Sequence, residues 1–273
     1  MLNVYFDGAG GLGNSLFQLG VAVFYCEKYG MKMRLIRGNA LLFGTSNQFG
    51  KNKVFLKDGQ YLSYDKTIFS RLAFINKDQV VHPHDVVHND YSNNPILNIT
   101  KSIFIKGYNQ NVQLFLEYAH KIPQYINIDD VYIKNYIHEK YGDISDGVAI
   151  CIRIGSDFAN MNSITKQSYY KALDFLKTRG ESTDKLYVIS DIPVKNYLDG
   201  SISYTEIDES DIVQIYFGIM CKNYILSEST FHLWIAYLGT DFGKNTKKNV
   251  VCFNKTDITN RNLNLDSFIR IDY

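Results

Sequence analysis

A glycine-rich turn joins a short apolar segment to a long helical segment at the start of the chain, and this arrangement restricts the fold more than any other feature. Residues 2–6 form an apolar run of strand length, and residues 7–13 contain four glycines. The pattern then predicts a helix over Asn14–Tyr29, which Gly30 ends, and a second strand over Lys32–Ile36. A strand, a tight turn, a helix and another strand form the opening unit of a doubly wound α/β layer.

The same alternation is clearer in the second half of the chain. The predicted elements are strands at Val148–Ile154, Leu186–Ser190 and Tyr224–Ser227, and helices at Lys166–Arg179, Asp211–Cys221 and Ser229–Leu238. The polar segment 142–147 is the predicted boundary between two domains, residues 1–144 and residues 145–273. Residues 38–98 lack a regular period, and loops with short helices are expected there. The predicted class is therefore α/β, with two facing Rossmann-like domains built on parallel sheets.

Composition excludes several functional classes. The 273 residues include 29 Lys and Arg against 28 Asp and Glu, so the net charge of +1 gives no overall field that would attract nucleic acid. The four cysteines are widely spaced, which argues against a disulfide scaffold and a zinc site and favours a reducing compartment. We find no secretory leader and no apolar stretch of about 18 residues. A soluble, cytoplasmic protein is expected, for which peripheral contact with a membrane stays open.

The glycine turn also predicts an anion site. Gly8-x-Gly10-x-x-Gly13 matches the dinucleotide fingerprint, in which backbone N–H groups approach a phosphate at a helix N-terminus. That reading also needs a carboxylate after the second strand, where this chain has only Arg34 and Arg37. An NAD(P)-dependent oxidoreductase is therefore one hypothesis, supported by the glycines alone.

Polar residues follow three predicted strands of the second half, which is where α/β proteins bind their ligands. Arg153 could hold a diphosphate with its planar fork, or could form a surface ion pair with Asp157. Asp191 could bind a ribose or a base edge, or could cap a helix. Ser229 could cap the last helix while the N–H groups around Thr230 bind an anion.

Four ordered blocks resemble glycosyltransferase family 11, the α-1,2-fucosyltransferases, over most of the chain. Gly10 to Gln18 resembles the family's GGLGNQLFQ, and Gly107-Tyr108-Asn109-Gln110 resembles its GYFQ segment. Val188 to Asp191 is similar to its (F/V)xSDD strand end. Ile225 to Leu238, ILSESTFHLWIAYL, resembles IIANSTFSWWAAYL, and Asp211 and Cys221 lie where the family has an ED…LMS.C helix.

The chain also departs from that pattern. Cys151 to Phe158, CIRIGSDF, stands where the family has HxRRGDY, so the histidine and the second arginine are absent. This variant is closer to the HxRIGSDW of protein O-fucosyltransferases. Ser15 replaces a glutamine, Glu228 an asparagine, and His232-Leu233-Trp234 a Ser-Trp-Trp sequence. These differences concern the donor sugar and the acceptor more than the fold.

The resemblance implies a GT-B fold and transfer of fucose from GDP-fucose, with inversion, to a hydroxyl of a glycan acceptor such as galactose. It implies that the C-terminal domain holds the donor and the N-terminal domain the acceptor. The residues implied for the donor are Gly11, Gly13, Asn14, Arg153, Asp191, Ser229, Thr230 and Phe231. No metal is expected, because the sequence has no D-x-D motif to bind Mg²⁺ or Mn²⁺ under a diphosphate.

Arg153 is predicted to neutralise the leaving diphosphate, and Asp157 is the first candidate for the general base. Asp7 and Glu228 are alternative bases, and the leaving phosphate could itself accept the proton. The segment with His82, His84, Asp85 and His88 suggests a metal cluster, but a solvated loop is the preferred interpretation. Two further hypotheses are a transferase for another GDP-hexose and a glycan-binding relative that has lost catalysis, the latter suggested by Cys151 and Ile154.

Overall fold

A computed structural model describes most of the chain. The described residues are 1–8, 10–37, 56–57, 60–61, 63–82, 84–88, 98–108, 110–154, 164–192, 194, 198, 202–254 and 263–272. They divide into two compact units, residues 1–129 and residues 130–272. Asp157, the first candidate base, lies outside the described residues.

The first unit is built on a parallel sheet. Its elements are β1 (Asn3–Phe6), α1 (Leu12–Tyr29), β2 (Lys32–Arg37), β3 (Leu56–Lys57), β4 (Gln60–Tyr61), β5 (Phe74–Asn76), β6 (His84–His88), β7 (Ser102–Lys106), α2 (Val112–Phe115) and α3 (Ile122–Tyr125). The sheet order is β5-β2-β1-β7-β6, and every neighbouring pair is parallel. Strands β3 and β4 form a separate antiparallel pair. The order reverses between β1 and β7, which creates a switch point at their carboxyl ends.

The second unit has the strand order of a dinucleotide-binding sheet. Its elements are α4 (Val131–Tyr141), β8 (Val148–Ile152), α5 (Lys166–Thr178), β9 (Leu186–Ser190), β10 (Thr205–Glu206), α6 (Asp211–Met220), β11 (Asn223–Ile225), α7 (Thr230–Gly239), β12 (Val250–Phe253) and β13 (Ile269–Ile271). The order is β10-β9-β8-β11-β12-β13, all parallel. Counted along the chain this is 3-2-1-4-5-6, with its switch point between β8 and β11.

Local signals explain why the helices begin and end where they do. The side chain of Asp130 accepts from the Tyr132 and Ile133 N–H groups at the start of α4. Thr165 and Ser168 form a capping box at the start of α5. Gly30 ends α1 in the left-handed conformation, with φ of 64°.

The apolar residues of each strand fix the sheets against their helices. In the second unit, Val148, Ile150 and Ile152 pack in one cluster with Tyr169 and Leu173 of α5. In the first unit, α1 is buried along most of its length, from Leu12 to Cys26. A helix that is apolar on nearly every side belongs in the interior of a layered domain. Among the described residues, no helix is both long and apolar enough to cross a membrane.

Two expectations for residues 38–98 need correction. Loops and short helices were expected, but β5 and β6 extend the first sheet on both sides. The segment His84–His88 is not a solvated loop, because its backbone pairs in parallel with β7 from His84↔Ser102 to His88↔Lys106. Tertiary pairing therefore decides the conformation of this polar segment.

The division between the units precedes the predicted boundary at residue 145. Helix α4 packs against α6 of the second unit, and the Tyr141 ring meets the Phe217 ring edge-on at 5.2 Å between centroids. Glu209 Oε1 accepts hydrogen bonds from the hydroxyls of Tyr136 and Tyr141, at 3.0 and 2.9 Å, and pairs with Lys140. These contacts place α4 in the second unit.

Candidate donor and acceptor sites

The switch point of the second sheet brings two predicted segments to one edge. Arg153 directly follows β8, and Ser227 lies two residues beyond the end of β11. The two strands are neighbours, with Ile150 paired to Ile225. Because parallel strands end at the same edge, Arg153 and the segment Ser227–Ser229 flank the crevice where α/β sheets bind ligands.

Arg153 is oriented by Asp191 rather than left on the surface. Its Nε lies 3.3 Å from Asp191 Oδ2, and the two side chains are 12% and 7% exposed. Asp191 Oδ1 also accepts from the N–H of Ile154 at 3.1 Å. The carboxylate therefore forms an ion pair with the guanidinium and a hydrogen bond with the backbone next to it. A planar fork held in this way suits bidentate binding of a phosphate.

A buried glutamine supports Asp191 from α6, and sequence reasoning did not find it. Gln214 Nε2 lies 3.1 Å from the carbonyl oxygens of Ile207 and Glu209 and 3.4 Å from that of Ser190. Ser190 is the last residue of β9 and directly precedes Asp191. Gln214 therefore ties the start of α6 to the strand end that positions the Arg153–Asp191 pair.

The start of α7 has the features of an anion site. Ser229 is the N-cap residue, as predicted, but its side chain makes no capping hydrogen bond and its N–H donates to the Ser227 carbonyl at 2.9 Å. The first turn, which begins with Thr230 and Phe231, carries no acidic residue. N–H groups in a first turn have no acceptor within the helix, and the helix dipole adds partial positive charge there.

A serine–histidine pair lies in the same turn. Ser227 Oγ is 2.6 Å from His232 Nδ1, and both side chains are buried. The fucosyltransferase block has alanine and serine at these two positions, so the chain differs at both members of one contact. Sequence reasoning noted the change at position 232 but did not connect it with position 227, five residues earlier.

We expect the Ser227–His232 contact to show strong energetic coupling. Either S227A or H232S alone leaves a buried polar atom without its partner, whereas the double variant carries the residues of the family block. Unfolding by urea should give a coupling energy of about 1 kcal/mol in this double-mutant cycle. Additive effects of the two substitutions would show that the contact contributes nothing.

The glycine turn of the first unit is held by Gln18. Its Oε1 accepts from the Gly8 N–H at 2.8 Å, and its Nε2 donates to the Gly107 carbonyl at 2.7 Å and lies 3.3 Å from Asp7 Oδ1. The side chain is fully buried. Gln18 therefore joins the ends of β1 and β7 at the switch point. This role explains why the block from Gly10 to Gln18 ends in a glutamine.

The predicted donor residues of the first unit form the start of α1. Gly11 is its N-cap residue, no side chain caps the helix, and the first turn, which includes Gly13, carries no acidic residue. Asn14 Oδ1 accepts from Gln110 Nε2 at 3.0 Å, which fixes the amide. A Cβ on Gly10, whose φ is 84°, would lie 2.8 Å from Asn14 Nδ2, so only glycine fits this turn.

Cys151 occupies the place of the family's histidine but cannot do its chemistry. The side chain is fully buried in β8, and burial raises the pKa of the thiol well above its usual value. A neutral buried thiol is neither a nucleophile nor a good hydrogen-bond donor. All four cysteines are free and buried.

The Asp211 carboxyl at the start of α6 predicts a pH dependence of stability. Although the residue keeps some exposed surface, burial of its carboxyl raises the pKa from 3.8 to about 7, partly offset by hydrogen bonds from backbone N–H groups including that of Ile212. The folded chain then binds more protons than the unfolded chain between these values, so the free energy of unfolding falls as pH rises through this window. We expect D211N to be more stable than the wild type at about pH 8 and equal to it near pH 4, by urea denaturation. A constant difference at both pH values would contradict this assignment.

The class of this protein is defined by its fold rather than by a sequence match. No family model matches the sequence, and no curated protein matches it. The two Rossmann-like units with parallel sheets have the GT-B-like architecture of solved fucosyltransferases. The predicted α/β class is therefore confirmed.

Structures of the fucosyltransferase NodZ are among those that it resembles. The fucosyltransferase NodZ from Bradyrhizobium aligns with a TM-score of 0.56 and 12% identity, over 87% of this chain and 94% of that one. NodZ α-1,6-fucosyltransferase co-crystallised with GDP and the same enzyme soaked with GDP-fucose each give a TM-score of 0.51 and 11% identity, over 87% of this chain and 93% of theirs. Since the identity is this low, these alignments show a shared fold alone.

Proposed function

We propose that this chain is an inverting fucosyltransferase, which moves L-fucose from GDP-fucose to a hydroxyl of a glycan acceptor and forms an α-1,2 linkage to galactose. The observation that carries the proposal is Arg153, held by Asp191 beside the N-terminus of α7 at the switch point of a 3-2-1-4-5-6 sheet. The NodZ structures with GDP and GDP-fucose support the choice of donor. The four sequence blocks support the choice of linkage.

The second unit would hold the donor through Arg153 and the start of α7, and the first unit would hold the acceptor. Gly11, Gly13 and Asn14 would add backbone and amide donors to the diphosphate from the start of α1. Asp191 forms an ion pair with Arg153. We therefore propose two roles for it, which are to contact the donor and to position the Arg153 guanidinium.

In the reaction, the acceptor oxygen forms a bond to C1 of fucose while the bond from C1 to the β-phosphate oxygen breaks. The electron pair of the broken bond stays on GDP, and the hydroxyl proton passes to a base. Asp157, Asp7, Glu228 and the departing phosphate are the candidates for that base. Because the transition state places negative charge on the diphosphate, a fixed guanidinium and a helix N-terminus stabilise it more than they stabilise the ground state. These groups supply the positive charge without a metal ion.

Incubation with a panel of donors and acceptors tests the proposal. The protein would be mixed with GDP-fucose, GDP-mannose or UDP-galactose and with galactose-terminated oligosaccharides, and the products weighed by mass spectrometry. With GDP-fucose alone, the acceptor should gain the mass of one deoxyhexose. NMR of that product should place the new linkage at O2 of galactose. Transfer from another donor would identify the rival transferase.

A catalytically inactive glycan-binding relative is the second candidate, because the buried, neutral Cys151 replaces the family's histidine. This candidate predicts that the protein binds GDP and glycans but gives no product with any donor in the same panel.

A further inference from the structure

One aromatic side chain differs from all the others that the structure describes. Tyr108 is 44% exposed, whereas every other described Phe, Tyr and Trp side chain is buried or half-buried. A tyrosine ring offers a large apolar face with a polar hydroxyl, and the carboxyl edge of a parallel sheet is where α/β proteins bind ligands.

Tyr108 lies at the switch point of the first sheet. It comes two residues after the end of β7, next to Gly107, whose φ of 80° turns the chain. A Cβ on Gly10 would lie 3.1 Å from Tyr108 Cε1 and 2.8 Å from Asn14 Nδ2. The missing side chain at Gly10 therefore lets the ring and the amide approach the same turn.

Polar groups lie at the same edge of the sheet as this ring. Gln110 Nε2 fixes the Asn14 amide at 3.0 Å. Gln18 Nε2 lies 2.7 Å from the carbonyl of Gly107, the residue before Tyr108, and 3.3 Å from Asp7 Oδ1, so the Asp7 carboxylate belongs to the same edge. A pyranose has an apolar C–H face and a rim of hydroxyls. A flat ring at an edge that also carries amide and carboxylate groups matches both parts.

We infer that the exposed face of Tyr108 binds the pyranose ring of the acceptor glycan, which deepens the proposed function and rests on it. Asn14 is a proposed contact of the donor diphosphate, and the Tyr108 ring approaches the same glycine turn as the Asn14 amide. A nucleobase could stack on the same ring. The Asp7 carboxylate and the Asn14–Gln110 amides favour the hydroxyl-rich sugar.

Three substitutions at this position separate ring stacking from simple packing. Y108A and Y108L remove the aromatic face, and Y108F keeps it without the hydroxyl. We expect Y108A and Y108L to raise the KM for a galactose-terminated oligosaccharide about tenfold, which is within the range found when an aromatic ring stacked on a nucleic-acid base is lost. Y108F should stay within about twofold, and all three should keep kcat, GDP affinity and GDP-fucose hydrolysis without acceptor. Y132A, a tyrosine variant on α4, is the matched control and should behave as the wild type.

A second experiment uses NMR to measure binding of the oligosaccharide to the protein in the absence of donor. It distinguishes failure of this inference from failure of the proposed function. If the wild type transfers no sugar but binds the glycan and Y108A does not, the proposed function fails and this inference stands. An unchanged acceptor KM in Y108A, a parallel loss of GDP affinity, or no glycan binding by the wild type would each overturn it.

Discussion

Replacing Arg153 by alanine should lower kcat/KM for fucose transfer by at least a hundredfold, which corresponds to about 2.7 kcal/mol of lost transition-state stabilisation. The guanidinium is the group that we propose to meet the charge developing on the diphosphate, and Asp191 fixes its direction. R153K keeps one positive charge but loses the planar fork, so its activity should lie between those of R153A and the wild type. Steady-state rates with GDP-fucose and a galactose-terminated acceptor measure both.

Loss of Arg153 also removes the positive charge beside the nearly buried Asp191 carboxylate, which would lower stability by itself. The double variant R153A/D191N removes the negative charge as well and should recover stability but not activity. A thermal melt of each variant separates the two effects. If R153A kept more than half of the wild-type activity, Arg153 would have no part in the mechanism.

Replacing Gln18 by leucine should destabilise the first unit by about 3 kcal/mol. The change leaves the Gly8 N–H and the Gly107 carbonyl at the switch point without the partners that they have now. Each buried polar group that loses its hydrogen bond costs about 1–3 kcal/mol. Urea denaturation followed by circular dichroism would measure the loss.

Two further variants make this test specific. Q18E can still accept from Gly8 but cannot donate to the Gly107 carbonyl from an ionised carboxylate, so it should be destabilised as well. Q113L changes an exposed glutamine of α2 and should stay within about 0.5 kcal/mol of the wild type. Equal stabilities for Q18L and Q113L would show that Gln18 does not hold the turn.

The regular elements of the second half could be predicted because several local signals agree there. The strand Leu186–Ser190 is apolar up to its last residue, and its predicted bounds are those observed. The helix predicted over Lys166–Arg179 ends one residue earlier, at Thr178, and its N-terminus carries a complete capping box. Where hydrophobic period, capping and glycine stops coincide, local sequence and tertiary structure do not compete.

The first half shows where such signals fail. Strand β5 has three residues, too few for an alternating pattern to be recognised, and β6 has two histidines and an aspartate in five residues. Both are stabilised by neighbouring strands, β2 and β7, that lie far away in sequence. Information of that kind is absent from the segment itself.

The residues of the candidate site also differ in how far the sequence alone identifies them. The sequence alone makes Arg153 and the Gly11–Asn14 turn candidates, because Arg153 follows β8 directly and the turn lies between β1 and α1. Their part in binding stays a prediction. The pairing of Arg153 with Asp191 could not be predicted, because strand β9 returns beside β8 only after an intervening helix. Gln214 was missed because its role depends on three carbonyl groups brought together by the fold.

The contacts between Glu209 and helix α4 determine where the chain can be divided if the second unit is to be produced alone. A fragment that starts at residue 145 lacks α4, so Glu209 loses three donors and Phe217 loses its contact with the Tyr141 ring. Such a fragment would leave the Glu209 carboxylate without those donors and would uncover the apolar surface beneath α4. A fragment that starts at or before Asp130 retains the helix together with its own capping residue.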